Sequence, residues 1–370
     1  PYNAEIIFEK GNIYKSIKNY DEALDSYQKA LKFMPNNNSI EFELANTFLL
    51  KGSLVQAEDL YKSILKKHKT FLLPLKKLGD LYLEKNDLEN AEKYYLQYLS
   101  VEKSNPESLK SLKNFYFLTK DYNKALGVFI EKAKSHKEQL QVNLIIADIY
   151  YHLQDYNKAL SIYNKILTQD KNNRDALSAL SNLNFQLKNY NEAINYSLKA
   201  ISLEKNFNTL LLAGKSYFKL KDYENAEKYF QDTISLDMTN FEAWKYLGFI
   251  TFNKKDYAHA LNCFQKSFKI NETDIDNLKY LSSTYQALGN KEEAIHYYEL
   301  VLKLEPNNKI LLPLSKLYES KNNYEASLIY LLRYVKNEDY KIDDDIELKL
   351  ISLFIKNKMY SEALERANLF

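Results

Sequence analysis

The 370-residue chain has a single cysteine, Cys263, so it can hold neither an internal disulfide nor a cysteine-based metal site. Glycine (7) and proline (6) are scarce, which leaves few helix breakers and few tight strand turns. Sustained alternation of apolar and polar residues is missing too, so helices joined by short polar turns are expected throughout. Neither sign of charge dominates, since Lys+Arg 51 against Asp+Glu 49 leaves a formal +2. No global field therefore points to nucleic acid or an anionic membrane. No run of about 18 apolar residues occurs, so no direct membrane insertion is expected. The five histidines, His68, His136, His152, His259 and His296, lack ligand spacing, and no metal or cofactor is expected. The chain shows no Gly-rich phosphate loop, no nucleophile elbow and no His paired with an acid on one helix face, which argues against an enzyme.

What the chain does have is a period. Ala stands at 23, 57, 91, 125, 159 and 193, five steps of 34 residues, and again at 226, 260 and 294 after one step of 33 and two of 34. A fixed period of this size marks a stack of two-helix units, each burying its apolar face against its neighbours. Length alone would suggest two or three globular domains, and the period overrides it. Units start at 4, 38, 72, 106, 140, 174, 207, 241, 275 and 308, forming one array over 1–336; an irregular join at 337–343 and a partial eleventh unit at 344–370 follow.

Within a unit the first helix carries apolar or small residues at i, i+3, i+4 and i+7, as in Leu177, Leu180, Ser181 and in Trp244, Leu247, Gly248, Thr251. A polar turn then ends in Asn19, Ser53, Asp87, Asp121, Asp155, Asn189, Asp222, Asp256, Asn290 or Asn323, each suited to cap the second helix. Asn19/Glu22, Asn189/Glu192 and Asn290/Glu293 have capping-box spacing. The second helix carries the periodic Ala and, four residues on, Tyr27, Tyr61, Tyr95, Phe129, Tyr163, Phe230, Phe264 or Tyr298. The small residue lets two helices approach and the ring fills the gap beside it, which accounts for much of the tyrosine count of 32. Cys263 reads as a small core residue. The basic run Lys62 to Lys69 reads as the solvated face and end of one helix.

These letters resemble the tetratricopeptide repeat (TPR) family, whose pattern has a large residue, then Leu-Gly, Tyr, Ala, an aromatic, Ala and Pro. The match is clearest in Gly11, Tyr14, Ala23, Tyr27, Ala30 and Pro35, and recurs in Leu78, Gly79, Tyr82, Ala91 and Tyr95 and in Ala213, Gly214, Tyr217, Ala226 and Phe230. It runs from about residue 4 to 370 in about eleven repeats. The pattern's Pro is kept only at Pro35 and Pro306, Ser327 replaces the small Ala, and 36 residues separate the starts at 308 and 344. The resemblance implies an all-α, right-handed α-solenoid of helix-turn-helix units whose inner surface, built from the first helices, holds extended peptides or partner helices.

On that inner surface a polar row is expected at Asn12, Asn46, Asp80, Asn114, Asp148 and Asn182. Asn can donate to and accept from a peptide backbone whatever the peptide's side chains. The plainer alternative is that these residues bridge adjacent first helices or meet water. Three residues further along come Leu49, Leu83, Phe117, Tyr151, Phe185, Phe218 and Phe252, a row that can supply pockets or be covered by the neighbouring unit. The carboxylate clamp with which some TPR domains grip chaperone tails is not expected, because Phe8 fills its Lys slot and Glu43 replaces its second Asn.

The reading is a non-catalytic scaffold that binds an extended segment or a subunit, within a larger assembly such as a secretion, motility or envelope machine. The alternative is the substrate-recruiting arm of a larger enzyme, as in glycosyltransferases with similar arrays. RNA binding is not expected, since Glu5, Asp80, Glu107, Asp148 and Asp175 share the inner surface. The chain begins at Pro1 without Met and stops at Phe370 within a repeat, so it reads as a fragment whose flanks could carry a catalytic domain, further repeats or a membrane anchor.

Overall fold

The computed structural model describes residues 2–101, 106–134, 139–306, 308–336 and 343–368. Among them are 22 α-helices, one short 3-10 turn and no strand. The first helices are α1 (Tyr2–Ser16), α3 (Asn38–Leu50), α5 (Leu73–Glu84), α7 (Pro106–Thr119), α9 (Gln139–His152), α11 (Arg174–Gln186), α13 (Phe207–Lys219), α15 (Phe241–Asn253), α17 (Ile275–Ala287), α19 (Leu311–Ser320) and α21 (Asp344–Lys356). Their partners are α2 (Tyr20–Phe33), α4 (Leu54–Lys67), α6 (Leu88–Val101), α8 (Tyr122–Ala133), α10 (Tyr156–Gln169), α12 (Tyr190–Leu203), α14 (Tyr223–Leu236), α16 (Tyr257–Ile270), α18 (Lys291–Leu304), α20 (Tyr324–Val335) and α22 (Tyr360–Asn368). The chain forms two compact units, Pro1–Lys171 and Asn172–Phe370. Each is an all-α stack of helix-turn-helix pairs in which a pair packs on the next, so the fold is an α-solenoid. The proposed join at 337–343 lies outside the described residues except for Asp343, which caps α21, and His136 lies outside them as well.

The periodic Ala is the centre of each pair: Ala23, Ala57, Ala91, Ala125, Ala159, Ala193, Ala226, Ala260 and Ala294 are all fully buried. Beside it the ring of Tyr27, Tyr61, Phe129, Tyr163, Phe230 or Phe264 is sealed from solvent. The approach is close enough that a Cβ built on Gly248 would stand 2.4 Å from the Phe264 ring, which is why the slot on the facing helix takes the smallest residue. Two units place hydroxyls here: in one, Ser181 and Ser197 take the small and ring slots, whereas in the other Ser327 replaces the Ala and Leu331 takes the ring slot. Ser181 and Ser197 lie 2.5 Å apart, and Ser315 and Ser327 3.0 Å apart, each pair fully buried.

Three residues separate first from second helix in every unit but the fourth, where two do. The residue before the cap takes a left-handed backbone in all eleven: Lys18, Gly52, Asn86, Lys120, Gln154, Lys188, Lys221, Lys255, Gly289, Asn322 and Lys358. The cap's own N–H then reaches back five residues, as in Asn19 to Tyr14 O (2.9 Å) and Asp222 to Tyr217 O (3.0 Å). One residue thus closes the end of one helix and starts the next. The side chains of Asp87, Asp121, Asp155, Asp222, Asp256 and Asn323 accept the expected cap hydrogen bond. Asn19, Ser53, Asn189 and Asn290 do not, so the three expected capping boxes fail. In the run Lys62 to Lys69, Lys66, Lys67 and Lys69 are exposed as expected, while Lys62 bonds Glu58 (2.5 Å) and Lys67 reaches the buried Glu41 (2.7 Å).

Candidate partner-binding face

Asn12, Asn46, Asp80 and Asp148 are half-buried. The second-helix tyrosine of the same pair, fifteen residues on, donates its hydroxyl to each: Tyr27 to Asn12 Oδ1 (2.7 Å), Tyr61 to Asn46 Oδ1 (2.7 Å), Tyr95 to Asp80 Oδ1 (2.6 Å) and Tyr163 to Asp148 Oδ1 (2.5 Å). Burial, helped by the carboxylates of Glu43, Asp80 and Asp148, pushes these phenols above the ordinary tyrosine range, so they stay protonated and able to donate. Asp148 also pairs with Lys113 on the preceding first helix, and Asp80 lies 4.0 Å from Lys77. These four side chains therefore tie the two helices of a pair together and, at Asp148, bridge adjacent first helices as well.

Asn114 and Asn182 differ. Phe129 and Ser197 occupy the tyrosine slot in their pairs, both amides are exposed, and neither makes a side-chain hydrogen bond among the described residues. Each leaves a donor and an acceptor open to solvent.

The aromatic row is half-buried. Each ring packs on the first tyrosine of its own second helix: Phe117 on Tyr122 (5.5 Å between centroids), Tyr151 on Tyr156 (5.8 Å), Phe185 on Tyr190 (5.5 Å), Phe218 on Tyr223 (5.5 Å) and Phe252 on Tyr257 (5.3 Å). Phe117 also meets His152 at 4.9 Å, and burial lowers the pKa of that imidazole, keeping it neutral and apolar towards the ring. In the second compact unit the row thickens into a cluster. Phe218 contacts Tyr246 (5.1 Å) and Phe252 contacts Tyr280 (5.4 Å), while Phe249, at the place where earlier units carry Asn or Asp, lies 4.5 Å from Tyr280. Burial together with Glu242, Asp276 and Asp274 pushes the Tyr246 hydroxyl up to about 12.

One acid does pair with a histidine near a helix face, contrary to the sequence reading. Asp256 Oδ2 lies 2.6 Å from His259 Nδ1, with Cys263 a turn beyond. Asp256 is the cap of α16, and burial pushes the Cys263 thiol up to about 11, the wrong direction for a nucleophile. No helix among the described residues is long and apolar enough to cross a membrane.

Tetratricopeptide-repeat family models match residues 4–37 and 276–308, in the phase of the helix pairs. The chain is a TPR array. A third family model, described as anaphase-promoting complex, cyclosome, subunit 3, matches residues 84–166 and 155–233. Among solved structures, the APC/C hetero-tetramer Cut9-Hcn1 is similar over 98% of this chain and 76% of its own, at 17% identity and a TM-score of 0.52. MamA is 21% identical over 51% of this chain and 97% of its own, with a TM-score of 0.42. YrrB, described as a TPR protein with an unusual peptide-binding site, is 20% identical over 52% of this chain and 97% of its own, with a TM-score of 0.43. No curated protein matches the sequence significantly. TPR and subunit-3-like families are generally non-catalytic scaffolds, and the array has a fold suited to protein–protein interaction. Sequence reasoning missed Tyr246, Phe249 and Tyr280 on this face of the TPR array. The 34-residue repeat of Tyr246 at Tyr280 was the signal that could have found them.

Proposed function

We propose that the TPR array is a non-catalytic scaffold that holds an extended segment of a partner protein along its first-helix face, within a multiprotein assembly. The observation that carries this reading is an exposed, unbonded amide beside a half-exposed ring within each compact unit, Asn114 by Phe117 in the first and Asn182 by Phe185 in the second. An amide can hold a peptide backbone through both of its polar atoms, and a ring beside it takes a side chain. Asn12, Asn46, Asp80 and Asp148 have their acceptor oxygen occupied by tyrosine and contribute less. Leu49, Leu83, Tyr151, Phe218 and Phe252 continue the side-chain row. The match to a family model built on a subunit of a large complex supports a place in an assembly.

The test places a photo-crosslinking residue at 114 or 182, and as control at Lys165 on a second helix. A partner should crosslink from the first-helix position of either unit, and recovery should fall at least tenfold with Asn114→Ala, Phe117→Ala and Phe185→Ala combined, at unchanged helicity. Crosslinks confined to position 165, with undiminished recovery, would move binding to the second-helix face.

A further inference from the structure

We propose that the cavity between α11 and α13 takes one basic side chain, lysine or arginine, of a bound segment; the inference rests on the first-helix groove proposed above. The cavity has a volume of about 460 Å³, with Asp175, Ser178, Asn182 and Asn208 in its wall. Two cations and three carboxylates surround it. Arg174 is paired with Glu204, and Lys215 holds both oxygens of Glu242 at 2.9 and 3.1 Å. Asp175 is left over: its carboxylate is exposed and has no ion pair or hydrogen bond among the described residues. The cavity therefore carries one unmatched negative charge.

The helix starts that border the cavity do not reverse this preference. Asn173 accepts from the Ala176 N–H of α11 at 3.0 Å, and Asn206 from the Asn208 N–H of α13 at 2.8 Å, so one first-turn donor of each helix that could draw an anion is already taken. An incoming carboxylate would also face Asp175 and Glu242. Ser178, Asn182 and Asn208 make no side-chain hydrogen bond among the described residues, and each has an oxygen able to accept from an ammonium or guanidinium. Leu211 and Leu212 supply an apolar wall. A long side chain with an apolar stem and a charged head satisfies both surfaces at once, which a small cation does not.

The probes are three capped pentapeptides that differ only in the central residue: Ala-Ala-Arg-Ala-Ala, the same with neutral citrulline, and the same with Glu. Amide shifts of the isotope-labelled array are followed at millimolar peptide. The Arg probe should shift residues 175, 178, 182 and 208, with the citrulline probe binding roughly three- to tenfold more weakly, as expected for an ion pair open to water. Asp175→Asn should bring the Arg probe down to the citrulline level; its helix start keeps the Asn173 cap, and unchanged helicity checks the fold. Asn208→Leu should weaken the Arg and citrulline probes alike. Equal binding of Arg and citrulline probes, or tighter binding of Glu, overturns the basic pocket and leaves the groove standing. Shifts confined to second helices, or no shift at all, overturn both.

Discussion

A hydroxyl separates Tyr95 from Phe129 in equivalent slots, and it decides what the facing residue can do. Asp80 is tied down by Tyr95, whereas Asn114 is left open opposite Phe129. Phe is already accommodated in this slot at 129, 230 and 264, so Tyr95→Phe isolates the hydrogen bond and should cost about 1 to 2 kcal/mol. Tyr95→Ala or Phe129→Ala removes a buried ring as well and should cost about 3 to 5 kcal/mol. Chemical denaturation of the variants checks both; equal losses for Tyr95→Phe and Tyr95→Ala would refute this division. The left-handed residue of the turn offers the opposite sign. Lys221 sits at φ 63°, a conformation that costs a side-chain-bearing residue about 1 kcal/mol, so Lys221→Gly should raise stability by about 0.5 kcal/mol once the added chain entropy of Gly is set against it. A lower melting temperature for Lys221→Gly would contradict it.

At the level of helices, pairs are joined by ion-paired side chains as well as by apolar packing. Glu58 on α4 accepts from Lys62, from Lys85 and from the Tyr82 hydroxyl of α5. Burial alone would raise its pKa; these three bonds outweigh burial and bring the carboxyl from its ordinary 4.5 to about 2. The folded value lies below the unfolded one, so the stabilisation is present above pH 4.5 and is lost as pH falls towards 2. Wild type should exceed Glu58→Gln in melting temperature at pH 6, and the gap should close between pH 4.5 and 2. A gap that does not change with pH would refute it. Helix positions were legible in the sequence because the buried Ala is a strict steric requirement repeated at nearly constant spacing. The caps were not fully legible, since Asn19, Asn189 and Asn290 have the right letters and yet make no side-chain cap bond. Nor could the pattern sort the polar row, because Tyr and Phe count alike as aromatic fillers and only the fold brings the hydroxyl to a residue fifteen positions back.

Over the whole molecule, contacts run mainly between neighbouring helices, so unfolding should spread over a broader range than in a globular protein of equal length. The least protected helix should be α22, which buries only Ala363 while Tyr360 and Leu364 stay about two-thirds exposed. Hydrogen exchange measures this, and protection of α22 equal to that of α14 or α16 would contradict it. The spacing of the turns has a further consequence. Inside a pair the link is three residues in all units but one, whereas between pairs it ranges from three residues, Leu203 to Phe207, to eight, Val335 to Asp344. The inner link cannot stretch, because its last residue both ends one helix and begins the next. The links between pairs are therefore the places that tolerate added length, and a tag or foreign loop grafted after Asn271 should be carried without harm where the same graft after Lys255 would break two helices at once.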